Sequence, residues 1–268
     1  MAVRISINNS EKLSKIIKEI TGVRLTSPIT GITTDSRNCE PGDLYIALLG
    51  DRSNGHHYLQ DVDAMDASAA LISERNSNQE LNLYQIIVED TRKTLGLIAN
   101  NWRNIFNIPV IAITGSNGKT STKELLYHVL KDKYNVHATV GNYNTSIGLP
   151  LSLFGINKNH DISIIEMGAN QPGDIKYLCK IAEPTHGLIT NISSSHLEGF
   201  QSIENIVETK GALFHYLENG ISFINYADER VKSINNSGDK VTYGLNAGCD
   251  FPADIHHDDD GSILLTID

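Results

Sequence analysis

The chain has 268 residues, 40% of them hydrophobic and 20% charged, so it falls in the ordinary globular range and is long enough for two domains that each bury a core. Its longest apolar runs, such as Ile108 to Ile113, are strand-length, which excludes a membrane-spanning helix. A net charge of −10, from 22 basic and 32 acidic side chains, excludes a generally cationic nucleic-acid surface but leaves room for a local phosphate pocket built from a lysine and oriented backbone N–H groups.

The segment Met1 to Gly22 carries Arg4, Glu11, Lys12, Lys15, Lys18 and Glu19 without an apolar core, so it is no secretory signal and a cytoplasmic location is expected. Ser10 before Leu13, Ile16, Ile17 and Ile20 predicts a helix with Ser10 as N-cap and Gly22 as its end. Strands are expected at 32–34 and 44–48, a helix over 54–66, strands at 70–73 and 85–88, and a helix over 91–106 from the spacing of Leu95, Ile98, Ala99 and Trp102. These form a small mixed α/β domain, 1–105.

From residue 106 to 268 the pattern alternates. Strands at 110–113, 135–140, 162–166, 187–192 and 221–225 are interleaved with helices at 119–131, 147–154, 172–181 and 203–217. Such alternation implies right-handed crossovers onto a mainly parallel sheet flanked by helices, with ligands at the carboxyl ends of the strands. Strands at 241–243, 253–257 and 262–267 follow, the last two flanking Asp258 to Gly261 as a hairpin at the sheet edge. Cys39, Cys179 and Cys249 are odd in number and widely spaced, so they are read as small buried hydrophobes. His256 and His257 beside three aspartates do not make a metal site, because adjacent strand residues face opposite sides. Ser193 to Ser195 lack a nucleophile-elbow pattern.

The sharpest signal is Thr114-Gly115-Ser116-Asn117-Gly118-Lys119-Thr120-Ser121, directly after one expected strand and directly before a helix. Glycines let backbone N–H groups converge on phosphate, the helix N-terminus adds positive potential, Lys119 reaches the terminal phosphates, and Thr120 is able to ligate magnesium. Gly115 to Ser121 is therefore the expected nucleotide phosphate-binding loop, against the plainer reading of a glycine-rich turn. The usual phosphate-loop spacing places a glycine where Ile113 stands, so this loop is a shortened one. Glu166, ending an apolar strand, suits a magnesium ion, the alternative being a solvent-facing strand end. Ser36 and Arg37 offer a hydroxyl beside a fork of donors, suited to a diphosphate or uracil, or else to a surface salt bridge.

The shortened loop resembles that of the Mur ligase family, the ATP-dependent amide ligases of peptidoglycan precursor synthesis. Further stretches agree in order: Gly31 to Arg37, Gly141 to Pro150, Glu166 to Asn170, His196-Leu197-Glu198-Gly199-Phe200 and Thr209-Lys210-Gly211. The resemblance implies a catalytic set of Lys119, Lys210, His196 and Glu166. It also implies magnesium ligation by Thr120, Glu166, His196 and Lys210, the last as a carbamate. Ser36 and Arg37 would then dock the UDP end of the substrate, and Asn142, Asn144 and Thr145 would line the path from sugar to ATP.

Within the family, Gly141 to Thr145 and His196 to Phe200 look most like the branch that joins D-alanyl-D-alanine to UDP-N-acetylmuramoyl tripeptide through an acyl phosphate. The branch adding the third peptide residue and folylpolyglutamate synthetase share the loop. ATP and Mg2+ are the implied cofactors, the two peptide precursors the partners, and a monomer the expected state. Complete members continue into a third domain that closes over ATP. A chain ending at Asp268 without it is expected to ligate weakly or not at all, and a non-catalytic module binding UDP-muramoyl peptide or nucleotide is the alternative of another class.

Overall fold

The computed structural model describes residues 4–50, 53–75, 81–194, 197–245, 248–257 and 263–267. They form two compact units, 1–107 with 146–158, and 108–145 with 159–268.

The first unit is built on a five-stranded sheet in the order β1-β2-β3-β4-β5, where β1 is Ile5–Ser6, β2 Gly31–Thr33, β3 Asp43–Ile46, β4 Ala69–Ile72 and β5 Tyr84–Ile87. β1 runs antiparallel to β2 and the others are parallel. β2, β3 and β4 are buried along their whole length, as strands covered on both faces must be.

Helix α1 (Ser10–Thr21) ends at Gly22, whose φ of +74° is the left-handed cap expected there. Its N-cap is Asn9 rather than Ser10: the Asn9 side chain accepts from Lys12 N at 3.1 Å, while the Ser10 hydroxyl accepts from Ile29 N at 2.6 Å. A tertiary partner thus took Ser10 and left the cap to its neighbour. The helix expected over 54–66 is split into a 3-10 turn, Gly55–Tyr58, and α2 (Leu59–Ala64), because the Asn54 side chain caps at His56. Helix α3 (Thr91–Arg103) starts on Asp90, whose carboxylate accepts from Lys93 N.

His56 is buried, and its Nε2 accepts the Ser73 N–H at 2.9 Å, which puts the ring proton on Nδ1, 2.6 Å from Asn54 Oδ1. Burial, opposed by Glu74, lowers its pKa below the ordinary histidine value. The unfolded chain therefore binds the extra proton first, and stability held above about pH 6.5 is lost as pH falls. Urea unfolding followed by Trp102, the single tryptophan and a residue of this unit, should show a midpoint that drops from pH 7 to pH 5 in the native chain and a flatter profile in His56→Gln. Parallel profiles would remove His56 from the acid response.

The second unit is an eight-stranded sheet in the order β13-β12-β11-β10-β9-β6-β8-β7. In chain order these are β6 Val110–Thr114, β7 Val136–Ala138, β8 Ile162–Glu166, β9 His186–Ile189, β10 Ile221–Asn225, β11 Asp239–Gly244, β12 Phe251–His257 and β13 Ile263–Ile267. All neighbours are parallel except β12 with β13, the expected terminal hairpin, whose connecting residues 258–262 lie outside the described residues.

The helices are α4 (Lys119–Leu130), α5 (Gly148–Leu153), α6 (Asp174–Ala182), α7 (Leu197–Phe200), α8 (Ile203–Tyr216) and α9 (Glu229–Lys232). The connection β6-α4-β7 moves one way along the sheet and β8-α6-β9 and β9-α8-β10 the other, so right-handed crossovers put α4 on one face and α6 with α8 on the opposite one. The strand order therefore reverses between β6 and β9, the place where ligands of such sheets bind. Helix α5 is the exception: every residue in it is buried, and it packs with the first unit, where Trp102 donates from Nε1 to Ile156 O at 3.1 Å and its ring meets Phe154.

Cys39 and Cys179 are buried, with the Cys179 thiol pushed up to about 12 by burial, whereas Cys249 is only half-buried, which corrects the expectation for that residue. No helix among the described residues is long and apolar enough to cross a membrane.

Candidate functional site

The loop 115–118 leaves the carboxyl end of β6 and feeds directly into α4, as the sequence predicts. Gly115 adopts φ +147° and packs so tightly on Thr190 that a Cβ would overlap the threonine hydroxyl. Gly118, at φ +79°, is the N-cap of α4, and the next N–H groups of that helix have no intrahelical carbonyl to bond.

The chain leaving β9 holds this loop. Ser116 N donates to Asn191 O at 2.9 Å, and the Asn191 side chain grips the Asn117 peptide from both ends, Oδ1 accepting from Asn117 N at 3.1 Å and Nδ2 donating to Asn117 O at 2.9 Å. Thr190 Oγ1 donates to the same carbonyl at 2.6 Å, and the Ser116 hydroxyl donates to Ser193 O at 3.1 Å and accepts from Ser193 N at 2.9 Å. The strand expected to reach residue 192 stops at Ile189: beyond it the Thr190 hydroxyl, Asn191 and Ser193 bond the loop, while Ile192 N donates to the Asp228 carboxylate. Thr190 and Asn191 are site residues that no motif marked. Their signal was position, at the carboxyl end of the strand beside β6.

Lys119 Nζ lies 2.9 Å from Gly115 O and 3.4 Å from Ser116 O, curled over the loop. Desolvation lowers its pKa, with Glu166 pulling the other way. Thr120 Oγ1 donates to Glu166 Oε2 at 2.9 Å, and Asn144 Nδ2 donates to Glu166 Oε1 at 2.7 Å. Glu166 is only 2% exposed, and no lysine or arginine among the described residues forms an ion pair with it. A buried carboxylate without a cationic partner among the described residues, facing the Thr120 hydroxyl in the first turn of α4, suits a hard divalent cation such as magnesium.

Lys210, 4% exposed on α8, reaches across to Gly115 O at 3.0 Å. Burial first and the Lys119 charge second lower its pKa to about 8. Lys210 is thus inside, with its nitrogen at the loop.

Of the expected site residues, Gly115, Ser116, Asn117, Gly118, Lys119, Thr120, Asn144, Glu166 and Lys210 therefore come together. Ser121 sits exposed in the first turn of α4, and Asn142 and Thr145 are exposed on the loop after β7. His196 lies outside the described residues. Among the described residues there is no cluster of three or more histidine, cysteine or acidic side chains that would hold a metal ion, His256 included.

Ser36 and Arg37 belong to the first unit, in a 3-10 turn, Ser36–Asn38, capped by Asp35. Ser36 is buried, while the Arg37 side chain is 86% exposed and engages Asp35 through Nε at 2.9 Å and Nη2 at 2.6 Å. That pair holds the Asp35 carboxyl below the usual range. It occupies two of the five guanidinium donors and leaves the outer edge for a ligand.

Comparison with known proteins gives two family matches, "Mur ligase family, catalytic domain" over residues 28–103 and "Mur ligase middle domain" over residues 113–267. The UDP-N-acetylmuramoyl-tripeptide--D-alanyl-D-alanine ligase of Buchnera aphidicola (subsp. Baizongia pistaciae) is 43% identical over 198 residues, 74% of this chain and 43% of that protein. The Haemophilus influenzae ligase of the same name is 36% identical over 246 residues, 88% of this chain and 52% of that protein. The chain thus spans about half the length of the curated relatives it matches. Among solved structures, MurF from Acinetobacter baumannii superposes with a TM-score of 0.84 at 28% identity, covering 94% of this chain and 60% of that one. MurF ligase from Thermotoga maritima in complex with ADP gives 0.79 at 33% identity, covering 88% and 55%.

Proposed function

This chain belongs to the Mur ligase family, and from that premise we propose that it is the nucleotide- and UDP-substrate-binding part of an ATP-dependent ligase that joins D-alanyl-D-alanine to UDP-N-acetylmuramoyl tripeptide. The observation that carries the reading is the convergence of Lys119, Thr120, Glu166 and Lys210 on the loop 115–118, beside the sheet's point of reversal.

In the proposed reaction the tripeptide carboxylate takes the γ-phosphoryl group of ATP, forming an acyl phosphate and releasing ADP. The amine of D-alanyl-D-alanine then displaces phosphate, closing the amide bond and losing a proton. The N–H groups at the start of α4 hold phosphate oxygens, and Lys119 swings its ammonium from the Gly115 carbonyl onto the terminal phosphates, where charge builds in the transition state. Thr120 and Glu166 would supply oxygen ligands to a magnesium ion, which would neutralise phosphate charge. Asn191 and Thr190 keep the Asn117 peptide in place, so the loop needs little reorganisation when the nucleotide arrives.

With its pKa near 8, Lys210 is uncharged in roughly a tenth of molecules at pH 7, and the neutral amine is the form that adds to carbon dioxide, losing a proton to give a carbamate. Such a carbamate would turn a buried cation beside Lys119 into an oxygen ligand of opposite charge. In the first unit, the free edge of Arg37 and the Ser36 turn would take the diphosphate or uracil of the UDP group.

Calorimetric titration with Mg-ATP and, separately, with UDP-N-acetylmuramoyl tripeptide tests the reading. Both ligands should bind the native chain. Lys119→Ala should weaken Mg-ATP roughly thirtyfold, the middle of the range for a hydrogen bond to a charged group, and leave the UDP ligand unaffected. Arg37→Ala should do the reverse. A folded chain that binds neither ligand would refute the proposal.

A further inference from the structure

In helix α4 the most deeply buried side chain is a lysine. Leu125 and Val129, one turn apart, are 68% and 71% exposed, whereas the single buried residue of the helix is Lys123, at 2%. Lysine is among the side chains least often fully buried, and a helix packed only for stability would turn a leucine inward instead.

The Lys123 ammonium is spent on two bonds: Nζ donates to Thr139 O at 2.7 Å and pairs with Glu124 Oε1 at 2.8 Å. Thr139 stands just beyond β7 and bridges two elements, its N–H and hydroxyl bonding β8 and its carbonyl bonding α4. Its N–H donates to Ile164 O of β8 at 3.0 Å, its hydroxyl accepts the Glu166 N–H at 3.0 Å, and its carbonyl takes Lys123. The next few residues form the loop whose Asn144 bonds the Glu166 carboxylate, and Asn144 O accepts from Gly168 N at 2.8 Å. Lys123 sits one turn beyond Lys119 and close behind Thr120 on the same helix.

We propose that Lys123 is a positioning residue: through Thr139 it ties the helix that carries Lys119 and Thr120 to the strand end that carries Glu166, and so fixes the separation of the Thr120 hydroxyl and the Glu166 carboxylate on which cation binding depends. The inference rests on the nucleotide-binding reading above. Neither Lys123 nor Thr139 touches the proposed ligands. Their effect is on the cation-dependent part of nucleotide binding, because the N–H groups of the loop and Lys119 hold phosphate without them.

The test compares the affinity of the full chain for ATP with excess magnesium and with EDTA, together with hydrogen exchange at the Glu166 amide. In the native chain magnesium should tighten binding. Lys123→Met and Thr139→Val should each cut that gain about tenfold, as loss of groups that orient metal ligands does, while metal-free affinity stays within about twofold. Both should speed exchange of the Glu166 amide, and Thr139→Ser, which keeps the hydroxyl, should behave as native. If Lys123→Met fails to fold, Thr139→Val against Thr139→Ser decides the matter alone. An unchanged magnesium gain in the variants, an equal loss with and without magnesium, or unchanged exchange overturns the inference. A native chain whose ATP affinity ignores magnesium overturns the functional reading itself, and this inference with it.

Discussion

Replacing Gly115 by alanine should abolish nucleotide binding and destabilise the second unit. Two independent penalties act at this position. The backbone stands at φ +147°, a region that residues with a Cβ avoid at a cost of about 1–3 kcal/mol, and the new methyl would overlap the Thr190 hydroxyl, a further cost of about 1–3 kcal/mol for an overpacked site.

The loop has no slack with which to relieve either. Thr190 is engaged with the Asn117 carbonyl and Asn191 with both ends of the same peptide, so any shift of residue 115 breaks the clamp. The expected result is a loss of Mg-ATP affinity of at least about a hundredfold, equivalent to about 2.7 kcal/mol, with a lowered unfolding midpoint. The double variant Gly115→Ala with Thr190→Ala should recover part of the stability but not the binding, since it removes the overlap and leaves the backbone strain and a broken clamp. Calorimetric titration and thermal unfolding of the three chains measure this. Native-like binding by Gly115→Ala would contradict the loop geometry.

Lys210 should show the opposite relation between stability and function. Its ammonium is buried beside Lys119, and burial first and the Lys119 charge second lower its pKa from an ordinary 10.5 to about 8, a cost of about 3 kcal/mol to the charged form. The bond to Gly115 O returns about 1 kcal/mol, so Lys210→Met should stabilise the chain by about 2 kcal/mol at pH 7.

The sign with pH follows from proton binding. Below pH 8 both folded and unfolded chains hold the proton and the penalty is full. Between pH 8 and 10.5 the unfolded chain holds more protons, so native stability rises with pH through that window and the advantage of the methionine variant fades. Denaturant midpoints at pH 7, 8 and 9.5 in carbon dioxide-free buffer, native against variant, check this. A variant less stable than native at pH 7 would show that the buried lysine is a net structural asset.

The parts of this structure most legible in the sequence were those set by short-range pattern. Ile108 to Thr114 is an apolar run followed by glycines and a Lys-Thr pair, and it is a strand, a phosphate-type loop and a helix start in the places expected. Gly22 closes its helix as a left-handed cap for the same local reason.

What stayed hidden depends on partners distant in the chain. Asn9 caps α1 because Ser10 is claimed by Ile29, nineteen residues away. Lys123 and Lys210 carry helix-surface chemistry in their neighbourhoods, yet both are buried, because their partners, the carbonyls of Thr139 and Gly115, come from elsewhere in the sheet. Asn191 follows a plain strand and becomes part of the site through the parallel pairing of β9 with β6, which no local spacing encodes. Asn144, expected along the substrate path, also touches the Glu166 carboxylate, since Glu166 ends the strand beside the loop on which Asn144 lies.

The segment 146–158 gives the polypeptide an unusual order of completion. The first unit receives α5, with Phe154 and Ile156 against Trp102, from a stretch that follows β6, α4 and β7 of the second. As the chain emerges during synthesis, the first unit must therefore wait with an open apolar surface on α3 until about the opening quarter of its neighbour has been made. Neither unit is a bead that folds and is left behind. A chain cut after Asn107 would lack the cover for Trp102, and the strand, loop and helix that bear Lys119 and Thr120 are already outside the ribosome when that cover arrives. The two units are thus committed to be born together, whatever their separate cores would allow.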